Sequence, residues 1–281
     1  MSSKHTIYCL GEVLLALDAD APLAHAESFR PRLGGDAAVL AQACAAQGGR
    51  ASLLAQLGED PFGQRAVSTL AAAGVDPTHA CFSRTLPTAL LFETGGEARS
   101  YRARTAGLQF APEQLEPGLF QPGDALLFAS SGLCDSPLRY THLAALTAAR
   151  DAGALTCFAP CLEPVLWPQP EGEAALREVT RQLLPRADIV ILTTEELELL
   201  FGTAEMRVAL FPLLRGHTQL VLLACAEGIH AFTRTNHAFW PGLSLPAPQL
   251  AAKALCCLLQ KNTVPEKLPK LTAKQLSSLL D

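Results

Sequence analysis

Two glycine-rich turns are the segments of this chain best suited to bind a ligand. Gly34-Gly35 opens an alanine-rich segment with Asp36 at its start, and a second turn, 58–63, reads Gly-Glu-Asp-Pro-Phe-Gly. A glycine pair at a helix start lets a ligand approach backbone N–H groups, which favour polar or anionic groups. For each turn alone, tight packing and turn formation are the better explanation of the glycines. Only their order along the chain, together with other motifs, can therefore indicate a function.

Several other catalytic signatures are absent from the sequence. There is no G-x-x-x-x-G-K-[ST] loop, and no G-x-G-x-x-G follows the first strand-like run. The run Ala129-Ser130-Ser131-Gly132 lacks the first glycine of a nucleophile elbow, which disfavours a hydrolase. Cys157 and Cys161 have no Cys/His partner pair at zinc spacing, so we predict no metal site.

Composition excludes two classes of partner. The chain has 281 residues, of which 49% are hydrophobic and 17% charged, with a formal net charge of -5. Nucleic acid and anionic membrane surfaces both require clustered Lys and Arg, so neither is expected as a partner. There is no signal pattern and no uninterrupted apolar run long enough to span a membrane, which predicts a cytoplasmic protein. The nine scattered cysteines fit reduced, buried thiols.

The elements that must position the glycine turns alternate between short apolar strands and longer amphipathic helices. This repetition predicts an α/β fold with a mostly parallel central sheet and helices on both faces. The predicted strands are Ile7–Leu17, Ala51–Leu57, Ala125–Ala129, Leu155–Phe158, Asp188–Leu192 and Leu220–Leu223. The predicted helices are Ala37–Ala46, Pro61–Ala73, Leu138–Arg150, Glu173–Leu184, Thr194–Phe201 and a short one near Thr272–Leu280.

Two segments break the alternation. About 17–33 and 88–106 carry hairpin-like patterns without helices, and Thr94-Gly95-Gly96-Glu97 is a good hairpin turn. Sheet segments that leave a doubly wound core often form a flap over its ligand crevice, so we predict that they build a small β-sheet lid. No long linker or repeat divides the chain, and we expect one domain over 1–281.

Taken together, the ordered motifs resemble the ribokinase/PfkB carbohydrate kinase family, with fructokinase and 2-keto-3-deoxygluconate kinase as the most similar subgroup. The resemblance runs from about residue 7 to 259. It rests on motifs shared in order and spacing: Gly11-Glu12, Gly34-Gly35, 58–63, Gly74-Val75-Asp76, Leu166-Trp167 and 195–202. It implies a ribokinase-like fold, a sugar or sugar acid bound under the lid, ATP and Mg²⁺ as cofactors, and a homodimer formed through the lid.

The resemblance also implies which residues contact ligands. Substrate contacts fall on Asp18, Gly34, Gly35, Asp36, Arg102 and Arg104. Asp18 is a displaced substitute, because Ala16 occupies the place of the family's sugar-binding aspartate. Cofactor contacts fall on Glu196 and on Gly228, for which a role in a turn is the alternative. The two arginines could equally be solvated strand residues.

Departures from the family pattern concentrate on functional positions. An ungapped placement puts Leu250-Ala251-Ala252 over the anion-binding Gly-Ala-Gly and Lys253 over the catalytic aspartate. A protonated lysine cannot accept a hydroxyl proton, so no catalytic residue is intact. We therefore expect a sugar-kinase homologue that has lost phosphotransfer and keeps a binding or regulatory role. The alternatives are an active sugar or sugar-acid kinase with relocated catalytic groups, and a scaffold whose crevice is plugged by Val39 and Leu250.

Overall fold

The computed structural model describes residues 4–167 and 172–281. Its strands are β1 Thr6–Leu10, β2 Leu14–Ala19, β3 Phe29–Gly34, β4 Arg50–Leu54, β5 Gln56–Gly58, β6 Cys81–Ser83, β7 Ala89–Thr94, β8 Glu97–Tyr101, β9 Ala125–Phe128, β10 Leu155–Phe158, β11 Ile189–Thr193, β12 Leu220–Cys225, β13 Gly228–Phe232 and β14 His237–Pro241. Its α-helices are α1 Asp36–Ala46, α2 Pro61–Ala72, α3 Pro137–Asp151, α4 Gly172–Leu183, α5 Thr194–Phe201, α6 Met206–Arg215, α7 Ala247–Gln260 and α8 Ala273–Ser277.

An eight-stranded sheet forms the centre of the molecule, in the order β14-β13-β12-β11-β10-β9-β1-β4. The six strands from β4 to β12 in this order run parallel, and β13 and β14 continue the edge as an antiparallel hairpin. Helices α1, α2, α7 and α8 pack on one face, and α3 to α6 pack on the other. The predicted α/β fold with a mostly parallel sheet and helices on both faces is confirmed.

A second, four-stranded sheet has the order β3-β2-β7-β8. The predicted single strand Ile7–Leu17 is wrong, because it divides into β1 of the central sheet and β2 of the second sheet. Between the two strands, the N–H of Glu12 donates to the Asp36 carboxylate at 3.1 Å and not to a neighbouring strand. This hydrogen bond interrupts the backbone pairing of β1. The predicted strand Ala51–Leu57 divides in the same way into β4 and β5, and β5 pairs with β6.

The helices agree with the sequence pattern within one or two residues over most of the chain, and Thr194–Phe201 agrees at both ends. The pattern did not predict α6, whose interior contains Pro212. Within the described part of the chain, no helix combines the length and the apolar character needed to cross a bilayer.

Candidate active site

The candidate site lies where the parallel strands end. The segments that follow β10 and β11 meet the start of α7 around a cavity of about 410 Å³. In open α/β sheets, ligands bind in the crevice outside the carboxyl ends of the strands. The cavity is lined by Cys161, Leu162, Glu163, Thr193, Glu195, Glu196, Leu199, Ala247 and Pro248. The second sheet borders this region, because the Ser100 hydroxyl of β8 donates to the carbonyl of Val165 at 3.2 Å.

Asp36 is the first residue of α1 and joins three segments. Its Oδ1 accepts from the N–H groups of Glu12 at 3.1 Å and Ala37 at 2.9 Å, and its Oδ2 accepts from the N–H of Ser131 at 3.2 Å. A carboxylate in the first turn of a helix is also favoured by the helix dipole. Asp36 thus holds the ends of β1 and β9 against the start of α1, and only part of its hydrogen-bonding capacity remains for a ligand.

The glycine pair is required by close packing next to Asp36. Gly35 has a φ of 87°, and a Cβ there would collide with the backbone carbonyl of Glu12. Gly34 would place a Cβ 2.8 Å from the side chain of Leu14. The pair therefore lets β3 enter α1 directly beneath the second sheet, and its role in packing is clear from the contacts.

Arg102 and Glu12 form a buried ion pair between the second sheet and the end of β1. The Arg102 Nε donates to Glu12 Oε2 at 2.8 Å, and its remaining N–H groups donate to the carbonyls of Leu166 and Ser131. Burial raises the pKa of Glu12, and Arg102 opposes that rise. Burial is the largest influence on the pKa of Arg102 and lowers it, but Glu12, Cys134 and Asp36 together oppose it and the net shift is upward. All of these partners are protein groups, so Arg102 links structural segments.

The other predicted substrate residues lie further out. Asp18 is on β2, with its side chain 41% exposed, and accepts from Arg32 Nε at 3.0 Å. Arg32 also pairs with Glu93 of β7. Arg104 is exposed, has a left-handed φ of 58° and makes no hydrogen bond or ion pair within residues 4–167 and 172–281. The structure therefore brings Asp36 and Arg102 together through Glu12 and leaves Arg104 apart from them.

Glu196 caps α5 from inside the cavity wall. Its Oε2 accepts from the N–H of Thr193 at 2.9 Å, and its Oε1 accepts from the N–H of Leu162 at 3.2 Å. Burial is the main cause that raises its pKa, and these hydrogen bonds oppose it. Gly228 begins β13 in a tight hairpin, and a Cβ there would collide with the carbonyl of Trp240. The contacts of Gly228 therefore belong to the turn.

Glu163 is a cavity residue that the sequence reasoning did not select. Its carboxylate makes no hydrogen bond or ion pair with any described residue. The residue is exposed at the cavity mouth, but the surrounding protein still displaces enough water to raise the pKa of the Glu163 carboxyl. Asp36 raises this pKa further, and Arg32 and Arg102 oppose the rise. An acidic residue just beyond the carboxyl end of β10 was the available signal.

The start of α7 differs from the placement made by resemblance. The helix begins at Ala247 with Pro248 in its first turn, where proline is favoured, and that turn contains no acidic residue. Lys253 lies in the second turn and is half-buried, so it is not at the helix start. Leu250 is fully buried in the core. The backbone N–H groups of Ala247 and Gln249 donate to no described group, and a helix N-terminus of this kind attracts anions.

The predicted plug of the crevice is not present. Leu250 packs into the core, and the side chain of Val39 is 37% exposed. Neither residue lines the cavity. The scaffold alternative, which required a filled crevice, therefore lacks its structural support.

Comparison with known proteins gives one consistent group. The sequence profile of the pfkB family carbohydrate kinases matches residues 4–246, which end just before α7. Probable fructokinase-2 of Arabidopsis thaliana is 30% identical over 246 residues, covering 84% of this chain and 74% of the relative. Fructokinase-1 of Zea mays is 30% identical over 257 residues, covering 87% and 78%. The crystal structure of fructokinase with bound ATP from Xylella fastidiosa superposes with a TM-score of 0.84 at 28% identity, covering 99% of this chain and 90% of that one.

Proposed function

Because the chain belongs to the pfkB family of carbohydrate kinases, we propose that it transfers the γ-phosphoryl group of ATP to a sugar hydroxyl. Fructose is the substrate to test first, because the relatives include fructokinases of plants. A sugar acid is the second. The fructokinase structure with bound ATP supports ATP as the phosphoryl donor.

This proposal rests on the groups that surround the cavity. The cavity brings together, in about 410 Å³, the Glu163 carboxylate and the N-terminus of α7, and no described residue pairs with that carboxylate or caps that helix end with its side chain. Glu163 accepts the proton of the sugar hydroxyl as that oxygen attacks the γ-phosphorus, and ADP leaves. The N–H groups of Ala247 and Gln249 bind the negatively charged phosphates. Such positioned donors and a general base are what phosphoryl transfer requires.

The cofactors fit the residues that line the cavity. Each oxygen of Glu196 accepts one backbone hydrogen bond, and a carboxylate has about four acceptor positions. Glu196 would therefore hold Mg²⁺, which prefers oxygen ligands and keeps several waters. When bound, Mg²⁺ supplies charge neutralisation for the phosphates.

The sugar is proposed to lie between the second sheet and the start of α1. Ala16, Asp18 and Arg32 share one face of that sheet, because Ala16 is paired with Arg32 and side chains alternate along a strand. Arg32 also contributes to the electrostatic environment of Glu163. This arrangement would bring the sugar hydroxyl and the γ-phosphate of ATP together at Glu163, with the second sheet acting as a lid.

The chain is also proposed to form a homodimer through the outer face of the second sheet. Phe29 and Tyr101 are 39% and 64% exposed there and pack edge-to-face on either side of Phe92. Exposed aromatic clusters of this kind are typical of interaction surfaces.

A second candidate function is ligand binding without phosphotransfer. The observation that favours it is the first turn of α7, which has no acidic residue. In addition, the carboxylates of Asp36 and Glu196 are engaged by backbone N–H groups. This candidate predicts that sugar or nucleotide binds and that no ADP is formed.

A calorimetric titration tests the proposal. ATP with Mg²⁺ is titrated into the protein, with and without fructose and a panel of sugar acids. Saturable ATP binding at micromolar to low-millimolar affinity, altered by one of the sugars, is required by the proposal, and sugar-dependent ADP formation then distinguishes it from binding without phosphotransfer. Absence of nucleotide binding contradicts it.

A further inference from the structure

A second cavity lies away from the candidate active site, between α6 and the end of strand β13. Its volume is about 410 Å³, and it shares no lining residue with the cavity at the start of α7. Its walls are predominantly apolar. They are formed by Met206, Leu210, Phe211, Leu214 and Phe232, with Arg215, Thr233 and Arg234 completing the lining.

Two arginines bring positive charge to this cavity. The guanidinium of Arg215 lies over the Phe211 ring, 4.2 Å from its centroid. Arg234 donates to the carbonyls of Leu214 at 2.6 Å and Gly216 at 2.7 Å, which are neutral groups. Within the described parts of the chain, neither arginine forms an ion pair with a carboxylate. The cavity therefore combines an apolar interior with an unpaired cationic border.

We propose that this cavity binds an amphipathic carboxylate, with an alkyl chain against the apolar walls and the carboxylate at Arg215 and Arg234. Ligand sites are typically apolar cavities of about 300–1,000 Å³ with a few polar groups that fix orientation. Arginine suits the head group, because its planar fork matches a carboxylate. This inference concerns a separate ligand and does not depend on the proposed kinase activity.

Titration with decanoate tests the proposal, with decanol as the uncharged analogue. Wild-type protein should bind one decanoate per chain, and shortening the acid to octanoate should weaken binding, by at most roughly four-fold per CH₂ removed. Arg215→Gln should weaken decanoate about three- to ten-fold and affect decanol much less, because it removes the positive charge but keeps a polar side chain at the cavity border. Phe211→Ala, at a side chain 55% exposed, should weaken both ligands without unfolding the protein.

Arg65→Gln is the matched control, because Arg65 is an exposed arginine of α2 with no ion-pair partner among the described residues. It should leave both affinities unchanged. Saturating ATP and fructose should not displace decanoate. The proposal is overturned if wild-type protein shows no saturable decanoate binding, if ATP competes for it, or if Arg215→Gln and Phe211→Ala both bind like wild type.

Discussion

Replacement of Glu163 by glutamine is the perturbation that most sharply tests the proposed chemistry. The change keeps the size of the side chain and removes its ability to accept a proton. No described group hydrogen bonds or pairs with the Glu163 carboxylate, so no protein contact is lost. The free energy of unfolding should therefore stay within about 0.5 kcal/mol of wild type.

The expected effect on turnover is large. Loss of a general base lowers rates by about 10²–10⁴-fold, which corresponds to roughly 3–5 kcal/mol of barrier. Affinity for ATP should stay equal or rise, because a negative charge is removed from a cavity that binds phosphates. Steady-state kinetics of ADP formation with fructose, combined with calorimetry of ATP binding, separate the two effects.

Glu198→Gln is the control, since Glu198 is exposed on α5 and does not line the cavity. Its kcat should remain within about three-fold of wild type, the range expected for a surface change. The kcat/KM of wild type should fall as pH drops through the raised pKa of Glu163, because only the ionised carboxylate accepts a proton. A Glu163→Gln enzyme with a wild-type kcat would refute the assignment of Glu163 as the base.

Three further predictions concern the structure around the site. Arg102→Met should lower the free energy of unfolding in urea by about 3–5 kcal/mol, because it leaves Glu12 buried and unpaired. Adding Glu12→Gln should recover part of that loss, and no recovery would contradict the pairing. Gly35→Ala should cost at least about 1–3 kcal/mol, more than Gly48→Ala, whose Cβ would meet no atom within 4 Å; equal costs would show that packing at Gly35 is unimportant. Tyr101→Glu should shift the protein from dimer to monomer in light scattering, and a monomeric wild type would contradict the dimer.

The fold was largely predictable from the sequence. Short apolar runs alternating with amphipathic segments predicted the parallel sheet, and the ribokinase-like fold implied by the ordered motifs is confirmed by superposition on fructokinase. The break between β1 and β2 was missed, because the apolar residues on both sides of Gly11-Glu12 were assigned to one strand. A tertiary hydrogen bond from Glu12 to Asp36 ends the ladder there.

The site was predicted less completely, for two physical reasons. The family resemblance identified Asp36, Arg102 and Glu196 but not the groups that occupy them, which are backbone groups of distant segments and, for Arg102, also the Glu12 carboxylate. The start of α7 was predicted at the wrong residue. The ungapped placement followed the family motif alone, whereas Pro248 favours the first turn of a helix. Glu163 was not selected from the sequence, although its position after β10 places it in the cavity.

Phosphotransfer by this protein is tested by measuring ADP formation by the wild-type protein with ATP, Mg²⁺ and fructose or a sugar acid. If the protein is a sugar kinase, ADP formation should be saturable, should require the sugar and should be accompanied by a phosphorylated sugar. ATP binding by calorimetry, without any sugar-dependent ADP above background, would contradict phosphotransfer and leave a protein that binds its ligands without reacting them.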